Sequence, residues 1–507
     1  MATDVASGRP GGGDTEDGGV AGPRGGLRAA PVLVPASVAL LLGAWGIQRQ
    51  GSMWRDEAVT WYAAHLSLPE LWHLVGNIDA VHALYYVLMH SVFSVWDGGL
   101  VALRLPSVVA TAVAAAGVGA LGHRLSGARA GLVAGVIFCA LPIVQHNAQE
   151  GRSYALVSAM VVWATHLLLR AVRSGSPKAW AGYAVLLLLA CWMHEFAALA
   201  MLAHGVTLKL SAVSPPTWRS WRIACAAIAA GLTPLVVLSL GQAKDQLGWL
   251  GRPGAGAWAL FAGISLLGWM CSRVSTRSVR RPDVAAVALP LLVVPTGALL
   301  VASLVKPWYV DRYVFYGMAG LALLLGVTLD RALGQGALGQ RVPYRAARAT
   351  GAALCCAGLV AALLPLSASM RTPQSRKDDA IAVTEAVRRM SAPGDAVLFM
   401  PSRRRVWLLS SPPTYRKLDD LALARAPADS GTLQGEELPA RRVEERLRKV
   451  RRVIALTDEA GEPLDATGQE SVKRRTLNAG FSACETARVK GARIVLYARG
   501  GSCPPRR

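Results

Sequence analysis

The run PVLVPASVALLLGAWGIQRQGSMWRDEAVTWYAAH (residues 31–65) passes from an uncharged stretch, Pro31 to Ile47, into a cluster holding Arg55, Asp56 and Glu57. A helix needs about 20 apolar residues to cross a bilayer core. The first half therefore reads as a membrane span and the second as its polar exit. Similar apolar runs recur along the 507 residues, of which 53% are hydrophobic and only 17% charged. An ordinary globular chain is about 25% charged. The predicted fold class is a polytopic α-helical membrane protein.

Residues 1–30 are rich in Gly, Asp and Pro and contain no apolar core for a signal peptide. They read as a disordered cytoplasmic tail. The net charge of +22 would suit nucleic acid in a soluble protein. In a membrane protein, excess Lys and Arg encode topology instead, so no nucleic-acid partner is expected. The eight cysteines form no cluster with metal-ligand spacing, and six of them fall in apolar runs, where a thiol acts as a small hydrophobe. Only Cys484 and Cys503 lie outside such runs.

Hydrophobic runs place eleven spans at 31–48, 106–122, 128–145, 154–170, 179–193, 196–211, 221–240, 257–272, 284–305, 313–330 and 349–367. With the N-terminus inside, the cytoplasmic connections carry 16 basic residues against two acidic ones, Asp283 and Asp330. The opposite connections carry eight basic and nine acidic residues. That asymmetry follows the positive-inside rule and predicts a cell-membrane protein with a cytoplasmic N-terminus. The segment HALYYVLMHSVFSVW (82–96) is too short to span and is interrupted by His90. It reads as an interfacial helix within a long first external loop, 49–105.

Residues 31–369 thus form the transmembrane domain. After it the composition changes: residues 371–507 hold 27 Lys and Arg and 17 Asp and Glu, with no run of span length. Helical patterning in DDAIAVTEAVRRM (378–390) precedes the strand-like DAVLFM (395–400), RRVIALT (451–457) and ARIVLYAR (492–499). Residues 370–507 are predicted to be a small α/β domain, placed outside by an odd number of spans. In that oxidising compartment Cys484 and Cys503 are candidates for a disulfide, or stand as two free thiols.

The external polar residues gather at one membrane boundary. They comprise Asp56 and Glu57, His82 with Tyr85 and Tyr86, Arg104, the segment QHNAQEGRSY (145–154), His194 and Glu195, and KPWYVDRY (306–313). Each alone could mark a helix end. Together they set carboxylates able to act as a base beside cations able to hold a phosphate. The partner this chemistry suggests is a lipid with a charged head at the outer surface.

Six of these stretches, in order, resemble the GT-C superfamily of polytopic glycosyltransferases. The likeness is to its bacterial family 39-like branch, related to protein O-mannosyltransferases and the aminoarabinose transferase of lipid A. WRDEAVTWYAA (54–64) looks like the motif opening that family's first external loop, and HALYYVLMHSVFSVW like its juxtamembrane helix. ALRLPSVVATAV (102–113), QHNAQEGRSYAL (145–156), MHEFAAL (193–199) and KPWYVDRYVFYGMAGLALLLG (306–326) are similar to later family motifs. The chain departs from the pattern at His82 and Ala83, where the family often has two prolines, and at Glu195, where it has tyrosine. The likeness covers residues 31–330 and leaves the C-terminal domain outside.

The resemblance implies a glycosyltransferase that takes a sugar, mannose by default, from a polyprenyl-phosphate donor. The acceptor would be a hydroxyl on a protein, glycan or glycolipid. Asp56 would be the base, with Glu57 orienting the acceptor or serving as a second base. Arg104, Arg152, Lys306 and Arg312 are the candidates for the donor phosphate, Tyr154, Tyr313 and His194 for phosphate or sugar, and His82, Tyr85 and Tyr86 for the acceptor side. No metal ligands are identified. Such a transfer requires no cofactor, while the use of a divalent metal stays open. The rival reading is a transporter or flippase of a lipid-linked or polar substrate, whose polar residues belong near the midplane.

Overall fold

The computed structural model describes residues 26–247, 251–275, 282–334, 345–459, 461–500 and 503. The N-terminal tail, as far as residue 25, lies outside the described residues. The apolar run that opens the chain forms α1 (Gly26–Ala44). The polar exit becomes α2 (Arg55–Ala64) and α3 (Leu68–Asn77), and the aromatic segment becomes α4 (Ala83–Val95). At 13 residues α4 is shorter than a bilayer core requires.

The bundle continues through α5 (Gly99–Ser126), α6 (Ala128–Ala140), α7 (Pro142–Ala148), α8 (Tyr154–Ser174), α9 (Pro177–Met193) and α10 (Leu199–Leu210). It is completed by α11 (Pro215–Leu247), α12 (Ala255–Ser275), α13 (Val284–Ala302), α14 (Met318–Gly334), α15 (Arg345–Ala362) and α16 (Leu364–Ser369). Every one of the eleven predicted runs is thus helical. Among the described residues, seven helices are long and apolar enough to cross a membrane, or eight if α6 and α7, bent by 66°, make one span. Helix α9, of 17 residues, and α10, of 12, fall below that length, and the predicted span 349–367 is divided between α15 and α16, so the eleven expected spans are not all of spanning length. Close packing of α1 on α5 uses Gly119, where a Cβ would stand 1.7 Å from the Pro31 carbonyl oxygen. A Gly119→Ala side chain would push the two helices apart.

The C-terminal region has the predicted helix α17 (Ala380–Met390) and the predicted strands β1 (Ala396–Met400), β5 (Arg452–Thr457) and β7 (Ala492–Arg499). Between them lie α18 (Val406–Leu409), α19 (Pro412–Tyr415), β2 (Asp419–Asp420), β3 (Leu423–Arg425), α20 (Pro427–Ser430), β4 (Glu436–Glu437) and α21 (Ala440–Leu447). Helix α22 (Gly468–Gly480) and β6 (Phe481–Val489) follow β5. The five-stranded sheet runs β2-β1-β5-β7-β6, with β1 parallel to β2 and β5, and β7 antiparallel to β5 and β6. Cys484 and Cys503 are joined by a disulfide.

Alternation along the strands sorts the sheet's two faces. Val397, Phe399, Ile454 and Leu456 join the apolar core shared with the helices, whereas Ala396, Leu398, Val453 and Ala455 pack with Val443 and Leu477 on the far side. The sheet therefore sits against the helical bundle, with α18 packed on α2.

Candidate active site

Adjacent residues on a helix point about 100° apart, and this separates the two carboxylates of the opening motif. Glu57 turns inward and its side chain is 0% exposed. Its Oε1 accepts from Arg104 Nε at 2.7 Å and the Gly151 amide at 3.1 Å, and its Oε2 from Arg104 Nη2 at 2.8 Å and from Arg49. Arg104, equally buried, also donates to the carbonyls of Ile47 at 2.7 Å and Ser52 at 2.6 Å. Arg104 and Glu57 are thus committed to each other, together with Arg49. Burial works against the Glu57 charge, but Arg104 and Arg49 outweigh it and hold the carboxyl down to about 2.

Asp56 turns the other way and keeps 19% of its side chain exposed. Its Oδ2 lies 3.3 Å from Arg312 Nη2, and Arg312 Nε donates to the Tyr154 hydroxyl at 3.1 Å. Arg312 comes from the single turn Asp311–Tyr313 that leads toward α14, and Tyr154 is the first residue of α8. The Arg312 guanidinium is 5.6 Å from the ring centres of Trp54 and Tyr154 and 5.7 Å from that of Tyr313. Such a cage holds a cation in place through the negative faces of the rings.

Behind this pair lies a second cation. Arg152 is buried and donates to the Tyr86 hydroxyl at 3.2 Å, to Thr60 Oγ1 at 3.4 Å and to His82 Nε2 at 3.1 Å. Tyr86 in turn donates to Asp79 at 2.6 Å. His194 links the two groups, with its ring 5.8 Å from His82, 5.5 Å from Tyr154 and 4.4 Å from Tyr313. Burial, aided by the positive charge of Arg152, pushes His82 well below the ordinary histidine range and His194 down to about 3. Both rings are therefore neutral at physiological pH. Because His82 Nε2 accepts from Arg152, its proton sits on Nδ1. Among the described residues, the buried polar atoms without a hydrogen-bond partner include His82 Nδ1, His194 Nδ1, Arg152 Nε, Trp54 Nε1 and the Tyr85 hydroxyl. Buried polar atoms are normally hydrogen-bonded to protein or to ordered water.

Of the residues singled out from sequence, the fold brings together Asp56, His82, Tyr86, Arg152, Tyr154, His194, Arg312 and Tyr313. It does not bring Lys306, which is exposed with its ammonium 5.7 Å from the Trp308 ring centre. Tyr85 is fully buried, with its ring in the apolar core and its hydroxyl without a hydrogen-bond partner among the described residues. Glu195 is half-buried and accepts from Ser239 at 2.9 Å. Sequence reasoning missed Trp54, Thr60 and Asp79. Trp54 stood inside the quoted motif, and Asp79 had a signal only in its being a carboxylate just ahead of the aromatic segment. Among the described residues, no group of three or more His, Cys, Asp or Glu is placed to hold a metal ion.

The helical bundle, its long first loop and its C-terminal sheet region share their fold with solved structures over nearly the whole chain. The chain is similar in structure to ArnT, an aminoarabinose transferase, from Cupriavidus metallidurans in the apo state: 13% identity, TM-score 0.62, over 92% of this chain and 97% of that one. The same ArnT bound to undecaprenyl phosphate gives 12% identity and a TM-score of 0.60, over 94% of this chain and 99% of that one. No protein-family model and no curated protein matches the chain in sequence.

Proposed function

We propose that the protein is a membrane glycosyltransferase. It moves a sugar, with mannose as the default, from a polyprenyl-phosphate donor to an acceptor hydroxyl on a protein, glycan or glycolipid. The reaction takes place at the outer face, with the N-terminus cytoplasmic and residues 370–507 outside. The observation that carries this reading is the placement of Asp56. It is a partly exposed carboxylate, beside a caged arginine and near a cluster of buried nitrogen atoms without hydrogen-bond partners. The undecaprenyl phosphate bound to the structurally similar ArnT is the ligand class such a group of cations and neutral donors suits.

In this reading Arg312 and Arg152 face the donor phosphate, and the Nδ1–H of His82 supplies a neutral donor to it. Asp56 takes the proton of the acceptor hydroxyl while that oxygen attacks the anomeric carbon. The new C–O bond forms as the bond to phosphate breaks, both electrons leave with the phosphate, and the anomeric configuration inverts. Preorganised cations lower the barrier because the leaving phosphate gains negative charge in the transition state. The transfer as proposed requires no cofactor, and it is compatible with a divalent metal. Glu57 and Arg104 take a different role from the one their position suggested: they brace the loop beneath Asp56 rather than touch substrate.

Undecaprenyl phosphate is the simplest probe. Native mass spectrometry of the purified protein is expected to show tight binding of undecaprenyl phosphate and weak binding of undecaprenol. A hydrogen bond to a charged group contributes about 1.5–3 kcal/mol, so Arg312→Gln is expected to weaken the phosphate roughly tenfold to hundredfold. Equal binding of the phosphate and the alcohol would contradict the assignment of Arg312.

A further inference from the structure

Helix α2, which carries Asp56, starts without a cap of its own. Its N-cap residue, Trp54, makes no side-chain hydrogen bond to the helix. The first amides of a helix lack internal partners and call for an acceptor. Here the acceptor comes from more than 300 residues away. Asp378 Oδ1 accepts from the Arg55 amide at 2.8 Å, at a sequence separation of 323. Its Oδ2 accepts from Trp407 Nε1 of α18 at 3.3 Å and lies 3.7 Å from Arg55 Nε.

The neighbouring residues tighten the same joint. Asp379 Oδ1 accepts from the Met53 amide at 3.3 Å while capping α17 through Ile381 and Ala382. The Ala380 amide donates to the Met53 carbonyl at 2.6 Å. The Arg55 guanidinium lies between the two carboxylates, its Nε 4.0 Å from Asp56 Oδ1. On the far side stands Gly491 of the β6–β7 turn, where a Cβ would come within 2.4 Å of Asp378 Cβ. An acidic group at a helix N-terminus also matches the positive end of the helix dipole.

We propose that Asp378 is a positioning residue for Asp56: it caps α2 from the C-terminal region and so fixes the first helical turn, on which Asp56 sits. This rests on the reading of Asp56 as the base. The C-terminal region, outside the stretch whose motifs implied an activity, thereby becomes part of the working site.

The test compares Asp378→Ala with Asp378→Asn in the full-length protein. Asparagine is as good a helix cap as aspartate and alanine is not. Misplacing a catalytic group by about 1 Å costs up to about 10²-fold. In Asp378→Ala, kcat is therefore expected to fall about tenfold to hundredfold with the donor KM nearly unchanged, and Asp378→Asn is expected to restore most of it. Hydrogen exchange at residues 53–60 is expected to quicken in the alanine variant and not in the asparagine variant. Should the alanine variant not fold, Trp407→Phe, which removes the Nε1–H that holds Asp378 Oδ2, is expected to lower kcat with the donor KM nearly unchanged. Equal kcat in the alanine and asparagine variants, a KM that rises in step with the loss of kcat, or unchanged exchange at 53–60 would overturn the proposal. A full effect of Asp378→Ala on exchange in a protein whose Asp56→Asn variant still turns over would instead sink the reading of Asp56 and leave the cap standing.

Discussion

Asp56→Asn is expected to remove transfer almost completely while leaving expression and membrane insertion intact. Asparagine keeps the size of the side chain and an oxygen able to accept from Arg312, 3.3 Å away in the structure. It cannot take the acceptor's proton. Loss of a general base costs about 10²–10⁴ in rate, so turnover should fall by that factor with little change in donor KM. Undecaprenyl phosphate should bind at least as well to this variant as to the wild type, because Arg312 no longer shares its charge with a carboxylate. Steady-state kinetics on the purified variant decides the point: near wild-type kcat would mean that Asp56 is not the base.

Glu57→Ala is expected to damage the fold rather than the chemistry. It strands Arg49 and Arg104, both wholly buried, without their shared carboxylate. Removing one partner from a buried ion pair costs about 3–5 kcal/mol, against a total stability of about 5–15 kcal/mol. Little folded protein should survive extraction, and the melting temperature of what does should drop sharply.

Glu57→Gln gives a gentler version with a defined pH signature. The folded-state carboxyl is held at about 2, below its ordinary 4.5. A lowered carboxyl contributes stability that is complete above the ordinary value and is lost as pH falls through the folded one. The gap in melting temperature between wild type and Glu57→Gln should therefore hold from neutral pH down to about 4.5 and narrow below it. A folded, normally melting but inactive Glu57→Ala would instead point to a direct part in the reaction.

The contrast between these two neighbours shows what the sequence could and could not reveal. Long apolar runs are a strong signal, and every one of them is helical in the structure. Strands β1, β5 and β7 were legible because their apolar residues are continuous, whereas β6 was not. Its burial follows no clean alternation, and its pairing shifts register between Ala483 and Glu485. At the site, topology could assign residues to one boundary but not to the inside or outside of a packed loop. Arg104 and Arg152 look equivalent on that basis, yet one is consumed by Glu57 and the other stands beside His82 with its own Nε unpartnered. Asp378 was invisible as a partner of Arg55, since nothing local marks a contact across 323 positions.

The transferase proposed here consumes a polyprenyl-phosphate sugar. The most direct measurement reconstitutes the purified protein in liposomes with radiolabelled polyprenyl-phosphate mannose, and in parallel with the arabinose, galactose and glucose donors. Envelope extract supplies the acceptor. At least one donor should lose its sugar to the acceptor and leave polyprenyl phosphate, with wild-type protein and not with Asp56→Asn. Intact donor in every case, or labelled lipid that merely changes leaflet without releasing sugar, would contradict the account.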